Sequence, residues 1–523
     1  PYTGRRIADD PWVALWELTN ENGLVRDLLE GKHRKWHPYW QAILRRRLAK
    51  WLTAKYGSEA RLKSAWGRLE EHEALDSATI RAEPCIDNQG KFAARRCEDV
   101  REFVYDVFVR YSRRLERIVH EAGSVSAHTP VTYDTVYQHK HGWYYAASQG
   151  SCLAVGTYTH EGPVEGRENT ALSKPPELAW YNLQFATVAD KPTVVYETNI
   201  FRPCPYRAAY PLRVAALAAW HDWDAVFFYV WSNGTVLDQD DPLTYVLTGL
   251  RYEVPSHTWH GIVFSTDEMF LAGARLAGEA FLNFHLPVAP ERVRITIGRK
   301  DLLRGPLWVG NIGLPIPPGT RGKYPLSSAL GATAFRHGVE YAYDMGRDGT
   351  TATRPLIAAD QAPLSLAPGL TYDWSRGTLI VDTPGAKIAA GFVREQAFGE
   401  GVSMEVRSPE FVVMGMVSTT PQPISTTPRA VFAATSTGEN SGAVIQPEGA
   451  KRAAEITRSW GHGPIQATRI HADVQTGRHW RWRAYDFLLD VIKRGCSDSF
   501  HLSGEPLFIM ELDARRARND SSR

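Results

Sequence analysis

Apolar and polar positions fall in blocks along the chain, and the blocks differ in period. Trp12-Val13-Ala14-Leu15-Trp16-Glu17-Leu18 reads as a buried strand, ended by the polar run Thr19-Asn20-Glu21-Asn22-Gly23. Tyr39 to Tyr56 reads as a helix with one basic face (Arg45, Arg46, Arg47, Lys50), and Ser58 to Trp66 as a shorter helix. From Glu98 to Glu121, Val100, Phe103, Val107, Tyr111, Leu115 and Ile118 recur at helical spacing before Gly123 stops the pattern. Strand and helix patterns then alternate. Strands are expected at Ser124 to Val131, Cys152 to Tyr158, Pro192 to Tyr196 and Asp224 to Trp231. Helices are expected near Gly142 to Gly150, at Pro176 to Ala189, at Tyr210 to His221 and at Asp267 to Phe284. Near-continuous apolar strands separated by helices predict a parallel sheet covered by helices.

From about Leu286 the texture changes. Short apolar runs at Arg292 to Ile297, Thr378 to Asp382, Phe411 to Met414 and Ala430 to Ala433 are separated by Gly, Pro and Asn. That composition predicts β-sandwich modules, with a boundary near Pro421 to Pro428. The expected division is 1–286 for the α/β part, 287–425 for a β-sandwich module and 426–523 for a C-terminal β-rich module.

Composition then narrows the function. A chain of 523 residues exceeds what one core fills. Hydrophobic residues make up 43%, and no run approaches the roughly 20 apolar residues of a spanning helix, so no membrane role is expected. Sixty basic residues against 58 acidic ones leave +2, which argues against a nucleic-acid partner. Seventeen Trp and 22 Tyr suit a cleft in which flat rings stack on sugar faces, and they suit an ordinary core equally well. Five Cys do not form a framework; Cys85 and Cys97 are candidates for a pair, with free thiols the equal alternative. No signal-peptide pattern opens the chain, and the compartment stays open, periplasm and extracellular space included.

Two carboxylates follow expected parallel strands: Glu21 after Trp16-Glu17-Leu18-Thr19-Asn20, and Glu197 after Pro192-Thr193-Val194-Val195-Tyr196. The C-terminal strand ends of an α/β barrel form its active face. A carboxyl pair there suits glycosidic cleavage, in which one group donates a proton to the leaving oxygen and the other attacks the anomeric carbon. Glu17 is an alternative to Glu21, and Glu21 alone also fits a plain structural role at a helix start. Glu161, Glu165 and Glu168 read as a solvated acidic loop. His33, His37, His139 and His141 lack an acidic or Cys partner at ligand spacing, so no metal site is expected. Neither a G-x-S-x-G elbow nor a G-x-G-x-x-G loop is present, and no cofactor is expected.

With these residues the sequence resembles the retaining (β/α)8-barrel glycoside hydrolases of clan A, within them the β-galactosidases of family 42 and the cellulase-like branch. In that clan an Asn-Glu acid/base follows strand four, and the nucleophile ends strand seven; Asn20-Glu21 and Glu197 match. Trp51-Leu52-x-x-Lys55-Tyr56-Gly57 followed by Leu62-x-x-Ala65-Trp66 resembles the family 42 helical insertion, with Lys63 where an Asn is usual. Trp231 resembles the strand-eight aromatic platform. Tyr158 resembles the strand-six aromatic, with Gly156 where a His is common. The resemblance covers roughly Asp10 to Phe284.

It implies a TIM (β/α)8-type barrel with its C-terminal five βα units visible, followed by β-sandwich domains. It implies a retaining β-glycosidase acting on poly- or oligosaccharides, with Glu197 as nucleophile and Glu21 as acid/base. Asn20 would bind the 2-hydroxyl and Trp231 would stack on the sugar. Tyr158, His160 and Arg202 would line the substrate site. The first visible strand is then the fourth of the barrel. A second chain, a missing N-terminal segment or a different strand register would account for that, and a homo-oligomer is one form the partner takes. The alternative function is a non-catalytic carbohydrate-binding or assembly subunit; a transglycosylase would use the same carboxylates.

Overall fold

The computed structural model describes residues 4–20, 23–29, 31–82, 93–123, 126–132, 141–159, 161, 165–175, 187–200, 202, 204–231, 264–304, 328–355, 364–445 and 457–514. It is a mixed α/β protein. Strand β1 (Trp16–Glu17) lies parallel to β2 (Val131–Thr132). Strands β3 (Leu153–Thr159), β4 (Thr193–Ile200) and β5 (Ala225–Phe228) form a second parallel sheet in chain order. Each of these two sheets is parallel throughout, and the second is the half-barrel part of the α/β region.

The helices between them are α1 (Leu24–Leu29), α2 (Pro38–Tyr56), α3 (Glu59–Trp66), α4 (Ala94–Ala122), α5 (His141–Ser148), α6 (Tyr210–Trp220) and α7 (Glu268–Leu282). Local chemistry sets their ends. Pro38 opens α2, the His37 ring accepts from the Tyr39 amide, and Gly57 closes it at φ 75°. Ser58 caps α3 by accepting from the Arg61 amide. Helix α4 buries Val100, Phe103, Val104 and Phe108 along one stripe. Gly123 ends it where a Cβ would stand 2.5 Å from Asp9 Oδ1 and 2.7 Å from Ala8 O, so only glycine fits. All eleven residues of α6 are buried, because it packs against both β5 and α7.

Several expected elements shrink. Only Trp16–Glu17 of the Trp12 to Leu18 run is strand, and Trp12 is 90% exposed. Residues 126–129 form a bend, and the strand begins at Val131. The helix expected at Pro176 to Ala189 lies largely outside the described residues; its last part is extended, with Val188 bridging Tyr341.

After α7 the structure departs from a simple sandwich. Strands β6 (Val293–Gly298) and β7 (Val339–Asp344) are parallel, β8 (Thr351–Ala352) runs antiparallel to β6, and helices α8 (Arg299–Arg304) and α9 (Ser328–His337) accompany them. The alternation at Arg292 to Ile297 marks a half-buried strand, and it carries no information about partner direction.

The remaining strands are β9 (Leu364–Ala367), β10 (Leu370–Asp373), β11 (Thr378–Thr383), β12 (Ala386–Gly391), β13 (Glu395–Ala397), β14 (Val402–Ser408), β15 (Val412–Ser418), β16 (Arg429–Thr435), β17 (Gly438–Ile445), β18 (Thr457–Ala467), β19 (His471–Tyr485), β20 (Val491–Ser503) and β21 (Ile509–Asp513). All but β17 and β18, which pair with each other, join one eleven-stranded antiparallel sheet. Strand β15 pairs with β16, so this sheet runs across the boundary expected near residue 425.

One face of β15 and β16, with Val413, Val417, Val431 and Ala433, joins the main core and receives α7. The other face, with Val412, Met414 and Phe432, packs against β14 and β19 in a second core. Burial on both faces explains the unbroken apolar run Phe411 to Met414. Arg207, 1% exposed, joins the regions. Its guanidinium donates to Asp267 Oδ2 at 2.5 Å, Cys204 O at 3.1 Å, Glu439 Oε1 at 3.0 Å and Gly438 O at 2.6 Å.

Candidate functional site

The register of β3 against β4 slips at one point. Val155 pairs with Val195, and Gly156 with Glu197, so Tyr196 is an extra residue. A Cβ on Gly156 would stand 2.8 Å from Glu197 O and 2.9 Å from the Tyr196 ring. The absent side chain at Gly156 therefore makes room for the bulge that precedes Glu197. Glu197 is half-buried inside β4, which continues through Ile200; it does not follow the strand as expected.

Tyr158, on β3, donates its phenolic proton to Glu197 Oε1. Burial, then Glu197 itself, pushes the Tyr158 pKa far above the ordinary phenol value, so it stays a donor at any working pH. The strand end is pinned on two sides. Asn199 Nδ2 donates to Tyr229 O at 2.6 Å, and the Thr198 and Tyr210 hydroxyls are 2.6 Å apart. Tyr229 meets Tyr158 edge to face at 6.5 Å. Trp231, 59% exposed, follows β5 and rests edge-on against Phe264 at 5.8 Å.

Glu17 ends β1 opposite Thr132. Its side chain keeps solvent contact, and its carboxyl is pushed up to about 7, first by partial desolvation and then by the charge of Glu197. Asn20 is exposed in the bend after β1. Arg202 is 1% exposed, inside the wall and away from the surface. Glu21 and His160 lie outside the described residues.

The structure thus brings together Tyr158, Glu197 and the Tyr229 ring. Tyr229 and the Tyr196 bulge were not singled out from the sequence. Gly156, standing where a His is common in the clan, was the available signal.

The acidic loop is not uniformly solvated. Glu161 makes a buried ion pair with Arg213 and accepts from the Ala171 amide at 3.1 Å. Glu165 accepts from the Thr437 hydroxyl at 2.9 Å, while Glu168 stays exposed. The described histidines have local partners. His37 caps α2, His33 Nδ1 stands 3.3 Å from Asp27 O, and His141 Nδ1 is 3.0 Å from the Tyr343 hydroxyl. Burial lowers the His141 pKa to about 3, so it is neutral. Among the described residues no group of three His, Cys, Asp or Glu side chains could hold a metal, and no helix is long and apolar enough to cross a membrane. Cys97 is disulfide-bonded; Cys152, Cys204 and Cys496 are free.

No protein-family model and no curated protein matches the chain. Among solved structures, a polyextremophilic β-galactosidase from the Antarctic haloarchaeon Halorubrum lacusprofundi superposes with a TM-score of 0.39 at 13% identity, over 97% of this chain and 80% of that one. A likeness at that level carries no argument about family or activity.

Proposed function

We propose that the protein is a retaining β-glycosidase acting on poly- or oligosaccharides, its five parallel strands being strands four to eight of a (β/α)8 barrel. The observation that supports this reading is the Glu197 carboxylate, half-buried in a parallel strand and held by the Tyr158 hydroxyl beside the Tyr229 ring. In the first step a Glu197 oxygen bonds the anomeric carbon, and the glycosidic C–O bond breaks. The leaving oxygen takes a proton from the acid. In the second, the deprotonated acid takes a proton from water, whose oxygen displaces Glu197. One water is consumed.

The Asn20-Glu21 motif supports Glu21 as the acid/base, and its raised pKa makes Glu17 the rival. Asn20 and Trp231 are assigned to the sugar at the reacting centre.

The test is trapping with 2-deoxy-2-fluoro glycosides. One fluorosugar is expected on the Glu197 peptide, and Glu197→Gln should lower hydrolysis by at least about a thousandfold. Azide rescue of Glu21→Ala but not Glu17→Ala, with an aryl glycoside, assigns the acid. Full activity in Glu197→Gln sinks the reading. Retained glycan affinity without hydrolysis in the wild type would favour a binding subunit.

A further inference from the structure

The hairpin of β19 and β20 ends in a loop that displays apolar side chains. Leu488 is 44% exposed and Leu489 60% exposed, with Val491 beside them at 40%. The loop is tightly closed. Asp486 Oδ1 accepts from the Leu488 amide at 2.9 Å and from the Asp490 amide at 3.0 Å. Leu489 N donates to Asp486 O at 3.0 Å, and Asp486 N donates to Asp490 O at 3.1 Å. Leu489 itself lies in the left-handed region at φ 67°, where glycine or asparagine costs least. A leucine there strains the backbone and gains little burial within the chain. A rigid loop that presents it to solvent calls for a contact outside the chain.

The matching feature lies along the same hairpin. Trp482, Ile492, Phe500, Leu502, Leu507 and Met510 wall a cavity of about 100 Å³. That volume exceeds the ~10–15 Å³ that admits one water and falls below the ~150 Å³ of an engineered cavity that takes benzene, so one aliphatic side chain suits it and a sugar ring does not. Neither loop leucine is part of its wall. Lys493 and Glu505, ion-paired at 3.1 Å, stand at its rim. Strand β20 is also an edge: among the described residues it pairs with β19 alone. Ile492 is an extra residue between the Tyr485–Val491 and Ala484–Lys493 pairs. Such a bulge disfavours further strand pairing, so a docked chain would meet this edge through side chains.

We infer that a second copy of this chain docks here, each copy placing Leu489 in the other's cavity about a two-fold axis. A knob and a hole on one hairpin are what an isologous pair needs, because each contact is then made twice. Charge agrees with that occupant. Asp490 adjoins the knob, Lys493 and Arg494 adjoin the hole, and all three are exposed, so docking brings opposite charges together. Each side then contributes one apolar anchor within a polar rim. The inference does not depend on the glycosidase reading.

The test is sedimentation equilibrium of the full chain, which should be dimeric at roughly 10 µM. Leu489→Asn suits the left-handed turn and deletes the knob. It should weaken association at least about tenfold without lowering the melting temperature of the monomer. Ala484→Leu fills the cavity from its own wall and should weaken association likewise. With benzoylphenylalanine at position 489 and a mixture of isotopically light and heavy copies, cross-links should join light to heavy chains at the Met510 peptide. A chain that stays monomeric up to roughly 100 µM, a dimer indifferent to Leu489→Asn, or cross-links confined to one chain overturns the inference. A monomeric chain whose melting temperature rises with benzene overturns it too, and gives the cavity to a small apolar ligand.

Discussion

In β15, Val412, Val413 and Met414 are all buried, and β12 and β16 saturate the strand's backbone on both sides. In β1, two residues pair with two residues of β2, and Trp12 nearby is almost wholly exposed. Both segments are apolar runs of similar length. Their difference shows that an apolar run becomes a long strand only where both faces and both edges are covered. The well-covered antiparallel sheet braces the molecule. In the parallel strands the titratable groups Glu17, Tyr158 and Glu197 stand on β1, β3 and β4.

The contrast can be broken most sharply by truncating one aromatic in each region. Phe432→Ala removes a buried ring that meets Phe500 at 4.7 Å, and should cost about 3–5 kcal/mol in denaturant unfolding. Trp12→Ala should stay within about 0.5 kcal/mol. Equal losses would show the β1 region to be as well packed as the sheet. Next in size is Gly156→Ala. The added Cβ meets the Glu197 carbonyl and the Tyr196 ring, so unfolding should become easier by about 1–3 kcal/mol, with a matching drop in the proposed hydrolysis. Unchanged stability would mean the bulge is not constrained as described.

Tyr158→Phe deletes the donor to Glu197 without changing the ring. The proposed hydrolysis should fall about ten- to a hundredfold, the worth of one hydrogen bond to a charged group, with the melting temperature nearly unmoved. A rate equal to wild type would remove Tyr158 from the site.

The smallest effect concerns Glu17, whose pKa is raised from 4.5 to about 7. Below pH 4.5 the carboxyl is protonated in both folded and unfolded chains, and its contribution is fully present. As pH rises toward 7 the unfolded chain ionises first, so that contribution is lost. Between these limits the wild-type melting temperature should fall relative to Glu17→Gln; parallel curves would show that the Glu17 carboxyl is not raised by its surroundings.

Much of this was legible in the chain. Runs from Cys152, Pro192 and Asp224 announced β3, β4 and β5, since parallel strands buried on both faces need continuous apolar residues. Those runs put Tyr158 on a strand, whereas Glu197, expected after its strand, lies inside β4. Partner direction was not legible, so the parallel β6 and β7 looked like sandwich strands. The stretch from Pro421 to Pro428 reads as a domain boundary, yet it is the loop joining β15 to β16. Thr427 N donates to Pro423 O at 2.8 Å there, and the Thr420 and Thr427 hydroxyls are 2.9 Å apart. Glu161 looked solvated because its partner Arg213 is far along the chain.

Arg207 has a consequence for how the chain can be cut. Its cation is shared among the Cys204 turn, the Asp267 cap of α7 and the start of β17. A fragment ending before residue 438 would keep the guanidinium and lose two of its acceptors, leaving a buried charge poorly matched. The C-terminal β region is therefore no detachable appendage. Melting should register the half-barrel and the sheet as one cooperative block, and a crystallographer seeking a shorter stable piece should keep β17 with α6.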